Sequence, residues 1–492
     1  MQRRLWLLSL LLTTLIGCQP IRLDVPPTSL PTPLAPESTL TSVPLFPTGV
    51  ATPTPHIADS PSGTDISTLT QYYLTAALNY PGRQLAVTED VIYVNSSNST
   101  LKELVFVVEP LRTEGVFQLE GLAWQDGTSI EAFTLQDAAL SVPLQSDLLP
   151  GGKVGMTLRF NLHIPDRVAP LGASRRMMTL TDWYPFVAHL NEAGEFQVAH
   201  PNPAGEYLTY DQADIHLSLY LSQPEGLQVV GAGLTSFSGG LAEFDLPAGR
   251  TLALAVTDTM EVITSTEEEL TVHAMIFPEH HDAGMAAIAN TFSAVRVFSD
   301  KYGDYPRSTL ALVEVGFPDG LESDGLFFIG SEYFASYDGR VDNYLTMISV
   351  HETAHQWWFT QVGNDPVQDA WLDEALCTYS EYIWYQELHP ELGEWWWRNR
   401  VWWYAPLGDV GAPTSIYEGF RPYVNAAYLR GASFLHALHL KLGDAAFFAF
   451  VRAYLTEMRG GIATSADFWR ILEQNTPSSE WEGLRQSYFG TE

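Results

Sequence analysis

The stretch that decides the reading is Val350-His351-Glu352-Thr353-Ala354-His355-Gln356, followed downstream by Trp371-Leu372-Asp373-Glu374. On a helix, residues four apart are rotated by about 40° and separated by roughly 6 Å along the axis. His351 and His355 therefore project from one face and can share a single tetrahedral zinc ion, one per chain. Glu352 falls beside that ion, where a general base for water is needed. A catalytic zinc takes a third protein ligand and keeps one position open. Glu374, with 18 residues between it and His355, is the candidate for that ligand. The lead-in from Asn343 to Val350 contains neither Gly nor Pro, which predicts a helix through the motif, and Gly363-Asn364-Asp365-Pro366 reads as its stop. A second helix is expected from about Trp371 to Leu388, ending before His389-Pro390. Asp369, just ahead of it, is either a hydrogen-bond acceptor for a ligand imidazole or an acidic residue favoured at a helix N-terminus.

The combination of H-E-x-x-H, an 18-residue interval and W-L-x-E resembles the aminopeptidase N (membrane alanyl aminopeptidase) family of gluzincin zinc metallopeptidases. Two further segments carry the resemblance. Gly320-Leu321-Glu322-Ser323 is similar to the family's G-x-M-E-N motif, with Glu322 lying 29 residues before His351. Tyr428-Leu429-Arg430-Gly431-Ala432 is similar to its Y-x-K-G-A segment. The resemblance implies that Gly320 and Glu322 bind substrate, with Glu322 pairing to a free α-ammonium group, and that Tyr428 stabilises an oxyanion. It implies hydrolysis of N-terminal residues from peptides by zinc-activated water, with Glu352 moving the proton. The departures are Leu321 for Met, Ser323 for Asn, Asp319 for a small residue and Arg430 for Lys. The second amine-binding residue that the family supplies from its β domain has no evident match. The divergent amine motif leaves a zinc endopeptidase, or a peptidase of altered specificity, as one alternative. A surface peptide-binding protein built on the peptidase fold is the other.

The expected fold class is α+β and multidomain: an N-terminal antiparallel β domain, then a mostly helical zinc catalytic domain that the resemblance makes thermolysin-like. Residues 1–18 read as a lipoprotein signal peptide, because Arg3 and Arg4 precede an apolar run too short to span a bilayer and Leu15-Ile16-Gly17-Cys18 resembles a bacterial lipobox. Residues 19–66 are a linker, half of it Pro, Ser and Thr. Residues 67–265 are β-rich, with strand-like runs such as Leu104-Val105-Phe106-Val107-Val108, and residues 266–492 form the catalytic domain. This would be a short form of the family, without its C-terminal helical domain.

The expected location is extracytoplasmic, on a bacterial cell membrane, anchored through an acylated Cys18. Only one other cysteine exists, Cys377, so no disulfide framework is expected; Cys377 itself reads as a small residue in a buried helix. The formal net charge of −33, from 58 acidic against 25 basic residues, argues against nucleic acid as a partner and against electrostatic adhesion to anionic lipid, while the family resemblance implies peptide substrates. Trp395-Trp396-Trp397 and Trp402-Trp403-Tyr404 are expected mainly in the core. His436 and His439 are a weak hint of a second metal site.

Overall fold

The computed structural model describes residues 68–191 and 193–490. The expected signal peptide, the linker and Cys18 lie outside the described residues. Strict alternation builds the β half. In Ala213–Leu221 every second residue, from Ala213 through Leu217 to Leu221, is buried, while the residues between are partly exposed. This strand runs parallel to Thr70–Asn79, which pairs antiparallel with Gln84–Val94 on its other side. Together they sit in the middle of a seven-stranded sheet, and two four-stranded sheets complete the β half. Leu74, Val87, Phe106, Leu158, Leu217 and Phe244 share its core.

A glutamate lies inside that core. Glu89 pairs across the sheet with Leu74 and Leu158, is fully buried, and neither of its carboxylate oxygens has a hydrogen-bond partner. Burial, reinforced by the Asp90 charge, raises its pKa well above the usual glutamate range. The folded state therefore holds a proton that the unfolded chain releases, so stability falls as pH rises past the ordinary glutamate pKa. Glu89→Gln is expected to flatten this slope. Glu89→Leu is expected to stabilise the fold at pH 8 by about 1–3 kcal/mol. Thermal melts at pH 5 and pH 8 check both; a wild type that loses no more between them than Glu89→Gln contradicts the assignment.

The second half opens with a five-stranded mixed sheet in the order Glu261–Glu267, Leu270–Ile276, Thr309–Val315, Leu326–Gly330, Gly320–Ser323. The helix His281–Lys301 makes the crossover between the parallel strands Leu270–Ile276 and Thr309–Val315. Both inner strands are nearly all apolar because both faces are covered. Leu310, Leu312, Phe327 and Ile329 point into the helical core, whereas Ala311, Val313, Leu326 and Phe328 point into the β core. The expected junction at 265/266 falls inside Glu261–Glu267, which pairs with Leu270–Ile276 and so joins this sheet. Alternation along a strand reports its buried face, not the sheet it will enter.

Among the described residues five longer helices follow: Tyr344–Ala354, Trp371–Leu388, Gly431–Leu442, Asp444–Met458 and Ser465–Asn475. Asn343 caps the first, its side-chain oxygen accepting from the Thr346 amide at 2.9 Å. That helix ends at Ala354 instead of continuing toward Gly363, because Trp357 and Trp358 turn inward and are almost fully buried, the Trp357 indole donating to the Gly303 carbonyl. Gly431 allows the third helix to touch the second, since a Cβ there would stand 2.5 Å from the Ala375 Cβ. Trp396 and Trp397 join the core as expected, but Trp402 and Trp403 are exposed. Among the described residues no helix is long and apolar enough to cross a membrane.

Candidate active site

The motif helix delivers both imidazoles to one point. The rings of His351 and His355 are 5.0 Å apart, and their Nε2 atoms lie 3.4 and 3.7 Å from Oε2 of Glu374 on the second helix. All three side chains are buried. Their Nδ1 atoms face acceptors: Glu381 Oε1 at 2.9 Å for His351, and the Trp358 carbonyl at 3.1 Å for His355. Each Nδ1 thus carries hydrogen and each Nε2 offers its lone pair to the shared point.

Two observations show that these residues fit a cation. Glu374 Oε2 and Glu352 Oε2 are buried without a hydrogen-bond partner. In addition, burial disfavours charge on His351, yet the neighbouring Glu374 and Glu381 carboxylates outweigh it and push its pKa up to about 10. Positive charge is what this cluster lacks. Glu322, Glu352 and His355 also come within reach of one another, but two imidazoles and one carboxylate suit zinc better than two carboxylates and one imidazole. Zinc is the metal this donor set calls for.

Asp369 does not support a ligand. Its carboxylate accepts from the Ser465 amide and hydroxyl, at the start of the helix Ser465–Asn475. Glu381 holds His351 instead, and is itself gripped by Arg400 through Nε and Nη2 and by the Trp396 indole at 2.9 Å. Burial opposes its ionisation, but Arg400 and His351 outweigh burial and keep its pKa low. Glu381→Gln is expected to weaken zinc binding about 10–100-fold. Competition with a chelator measures this, and an unchanged affinity contradicts the role.

The edge strand Gly320–Ser323 runs beside the motif helix. Gly320 permits its closest approach, because a Cβ there would stand 2.0 Å from Glu352 Oε1. Gln356 ties the strand down: its Nε2 donates to the Ser323 carbonyl and its Oε1 accepts from the Gly325 amide. Two of the four departures from the family pattern acquire reasons. Asp319 has φ of +63°, a conformation that Asp tolerates better than most residues, and accepts from the Tyr333 hydroxyl at 2.9 Å. Ser323 is buried and its hydroxyl bonds that of Thr251 at 2.6 Å.

Tyr428 arrives from a helix with a widened, π-type stretch at Val424–Arg430, between the α-helical Phe420–Tyr423 and Gly431–Leu442. Its ring stacks on His351 at 5.9 Å and its hydroxyl donates to Glu374 Oε1. Arg430 points away, its guanidinium over the Tyr488 ring.

These groups line one cavity of about 610 Å³ that both halves enclose. The β half contributes Glu206, which sequence reasoning missed. Glu206 and Glu322 are neighbours in this cavity. Burial and the Glu322 charge raise the Glu206 pKa well above the usual range. Burial also opposes ionisation of Glu322, but the neighbouring His355 and Glu206 outweigh it and lower its pKa. The loop carrying Glu206 is pinned by Asn202, whose Oδ1 accepts the Ala204 and Gly205 amides and whose Nδ2 donates to Thr414. Asn202-Pro203-Ala204-Gly205 announces a turn in the sequence, but nothing local says what it meets. His436 and His439 instead turn their Nδ1 atoms to the Tyr379 hydroxyl, at 3.2 and 2.8 Å. Cys377 is buried and free.

Residues 287–484 match the family model described as the peptidase family M1 domain. These residues form an M1 domain. Curated relatives include probable aminopeptidase 2 of Sulfurisphaera tokodaii, 25% identical over 232 residues, covering 43% of this chain and 29% of the relative. Aminopeptidase O of Homo sapiens is 25% identical over 210 residues, covering 36% and 25%. The chain thus spans under a third of the length of these relatives. Among solved structures, the M1 zinc metallopeptidase from Deinococcus radiodurans shares 20% identity at a TM-score of 0.61, covering 86% of this chain and 95% of that one. A mutant of it bound to a Tyr-Ser-Ala substrate matches at 0.59, with 20% identity and coverage of 86% and 94%. The structural likeness concerns the fold: a β-rich half followed by the M1 domain, the order expected from the sequence.

Proposed function

We propose that the protein is a zinc-dependent aminopeptidase that removes residues from the N-termini of peptides. The observation that carries this reading is the placement of two half-buried carboxylates, Glu206 and Glu322, in the same cavity as Glu352, His351, His355 and Glu374. A peptide's α-ammonium group brings such a pair a full opposite charge and up to three donors. The peptide backbone lies along the edge strand Gly320–Ser323, adding to it as another strand. With the amine at Glu322, the first peptide bond comes level with Gly320 and Glu352. Zinc held by His351, His355 and Glu374, when bound, polarises the carbonyl and lowers the pKa of water. Glu352 takes the proton from the attacking water and passes it to the departing nitrogen. Tyr428 donates its hydroxyl hydrogen bond to the carbonyl oxygen as negative charge develops there.

The test is a matched peptide set, free or acetylated at the N-terminus, digested by the zinc-loaded protein and read by mass spectrometry. Stepwise shortening of the free peptides alone supports the reading. Internal cleavage of blocked peptides replaces it with an endopeptidase, and no cleavage of either favours a peptide-binding protein. The proposed location, on the outer side of a bacterial membrane, rests on Leu15-Ile16-Gly17-Cys18; Cys18→Ser releasing the protein from membranes would support it.

A further inference from the structure

The cavity has Glu206 and Glu322 among its lining, and arginines besides. The edge strand runs from Glu322 back through Gly320 to Asp319, which holds the Tyr333 hydroxyl. Tyr333, Arg400, Tyr344, Tyr404 and Arg421 belong to the same lining, Arg421 lying over the Tyr404 ring.

Arg421 is the uncommitted cation among them. Arg112 is paired with Glu109 at 2.9 Å, Arg400 with Glu381 at 2.9 Å, and Arg167 donates to the Thr113 hydroxyl on the β-half wall. The Arg421 guanidinium has no carboxylate partner and makes no hydrogen bond among the described residues; it lies 4.7 Å over the Tyr404 ring. Other described arginines also lack a carboxylate; Arg421 differs in lining the cavity, on its exposed rim, with only an aromatic ring beneath it. Stacking fixes its plane and leaves its N–H edge for a ligand.

Its distance from the reacting bond follows from the helix. Arg421, Val424 and Tyr428 lie on one helical run and all line the cavity. Seven residues of helix, part of it the wider and shorter-rising π type, place Arg421 no more than about 10 Å from Tyr428 along the axis. An extended peptide advances roughly 3.3 Å per residue, so the guanidinium stands about two to three residues beyond the scissile bond.

We propose that Arg421, stacked on Tyr404, binds a carboxylate two to three residues downstream of the cleaved bond, so that the protein favours short peptides ending there in a free carboxylate. This rests on the peptide reading of the site and adds the substrate class: tri- and tetrapeptides held by charge at both ends. An acidic side chain at the same position offers the same chemistry.

The experiment uses zinc-loaded full-length protein and tetrapeptides with a free N-terminus, ending in a carboxylate, in an amide, or in an amide after an internal Glu. Binding is measured to the Glu352→Gln protein, and turnover to the protein with Glu352 intact. Carboxylate peptides are expected to bind and react roughly five- to tenfold better than amides, with the difference in KM and shrinking as salt rises. Arg421→Gln is expected to bring that ratio close to one, and Arg421→Lys to keep part of it. If the internal Glu restores the preference, the site reads a carboxylate from either source; if it does not, the terminal group alone is read. An equal carboxylate-to-amide ratio with and without Arg421 overturns the proposal. Binding separates this from failure of the aminopeptidase reading: absent turnover with the Arg421-dependent preference intact removes only the latter.

Discussion

Glu352→Gln lowers kcat by about 10²–10⁴-fold while the protein still binds zinc. The substitution keeps the side chain's shape beside Gly320, where there is no room for anything larger. On the proposed mechanism it removes the group that carries a proton from water to the leaving nitrogen. Burial, with Glu322, Glu374 and Glu381 nearby, raises the Glu352 pKa well above the usual range, despite the opposing His351 charge. A cation among these carboxylates supplies the compensation that the side chains alone do not. Metal content by atomic absorption and single-turnover kinetics check the two halves of the statement. Equal loss of zinc and activity would make Glu352 a structural member of the cluster instead.

The second large effect lies away from the metal. Arg250 is 4% exposed and fastens three segments at once. Its Nη1 donates to the Tyr210 carbonyl at 2.7 Å, its Nε to Thr360 at 3.0 Å and its Nη2 to Gly461 at 2.8 Å. Burial lowers its pKa to about 10, against the pull of Asp324, which is itself fully buried. Arg250→Met keeps most of the packing volume but orphans three carbonyls and removes one of the two cations facing Asp324. It is expected to cost roughly 3–5 kcal/mol. Urea unfolding at pH 7 measures this; a loss below about 1 kcal/mol would mean that water replaces the guanidinium without penalty.

What was legible in the sequence was what helical spacing dictates. His351 and His355 meet because they are four apart, and the bounds read for the second helix coincide with Trp371–Leu388. Glu381 was legible in the same terms, since seven residues place it two turns beyond Glu374 on nearly the same face. Asp369 drew attention by nearness in sequence, yet it sits before the helix and turns to Ser465. Glu206 and Arg250 were not legible. Each acts through contacts with residues more than a hundred positions away, and neither lies in a periodic segment that would point its side chain. Trp402 and Trp403 show the converse: aromatic bulk predicts burial only where the backbone leads back inside, and here the chain breaks into a short 3-10 turn at the surface.

The five-stranded sheet has a consequence for measurement in the literal sense. Its inner strands feed side chains to two cores at once, so neither core can shift without moving the same backbone. On the proposed reading the anchor for the amine, Glu322, and the glycine beside Glu352, Gly320, are two residues apart on the edge of that sheet. They would be marks on a ruler clamped from both sides, with Gln356 as a third clamp at its end. The distance such a gauge sets belongs to a strand and not to the gap between two moving bodies.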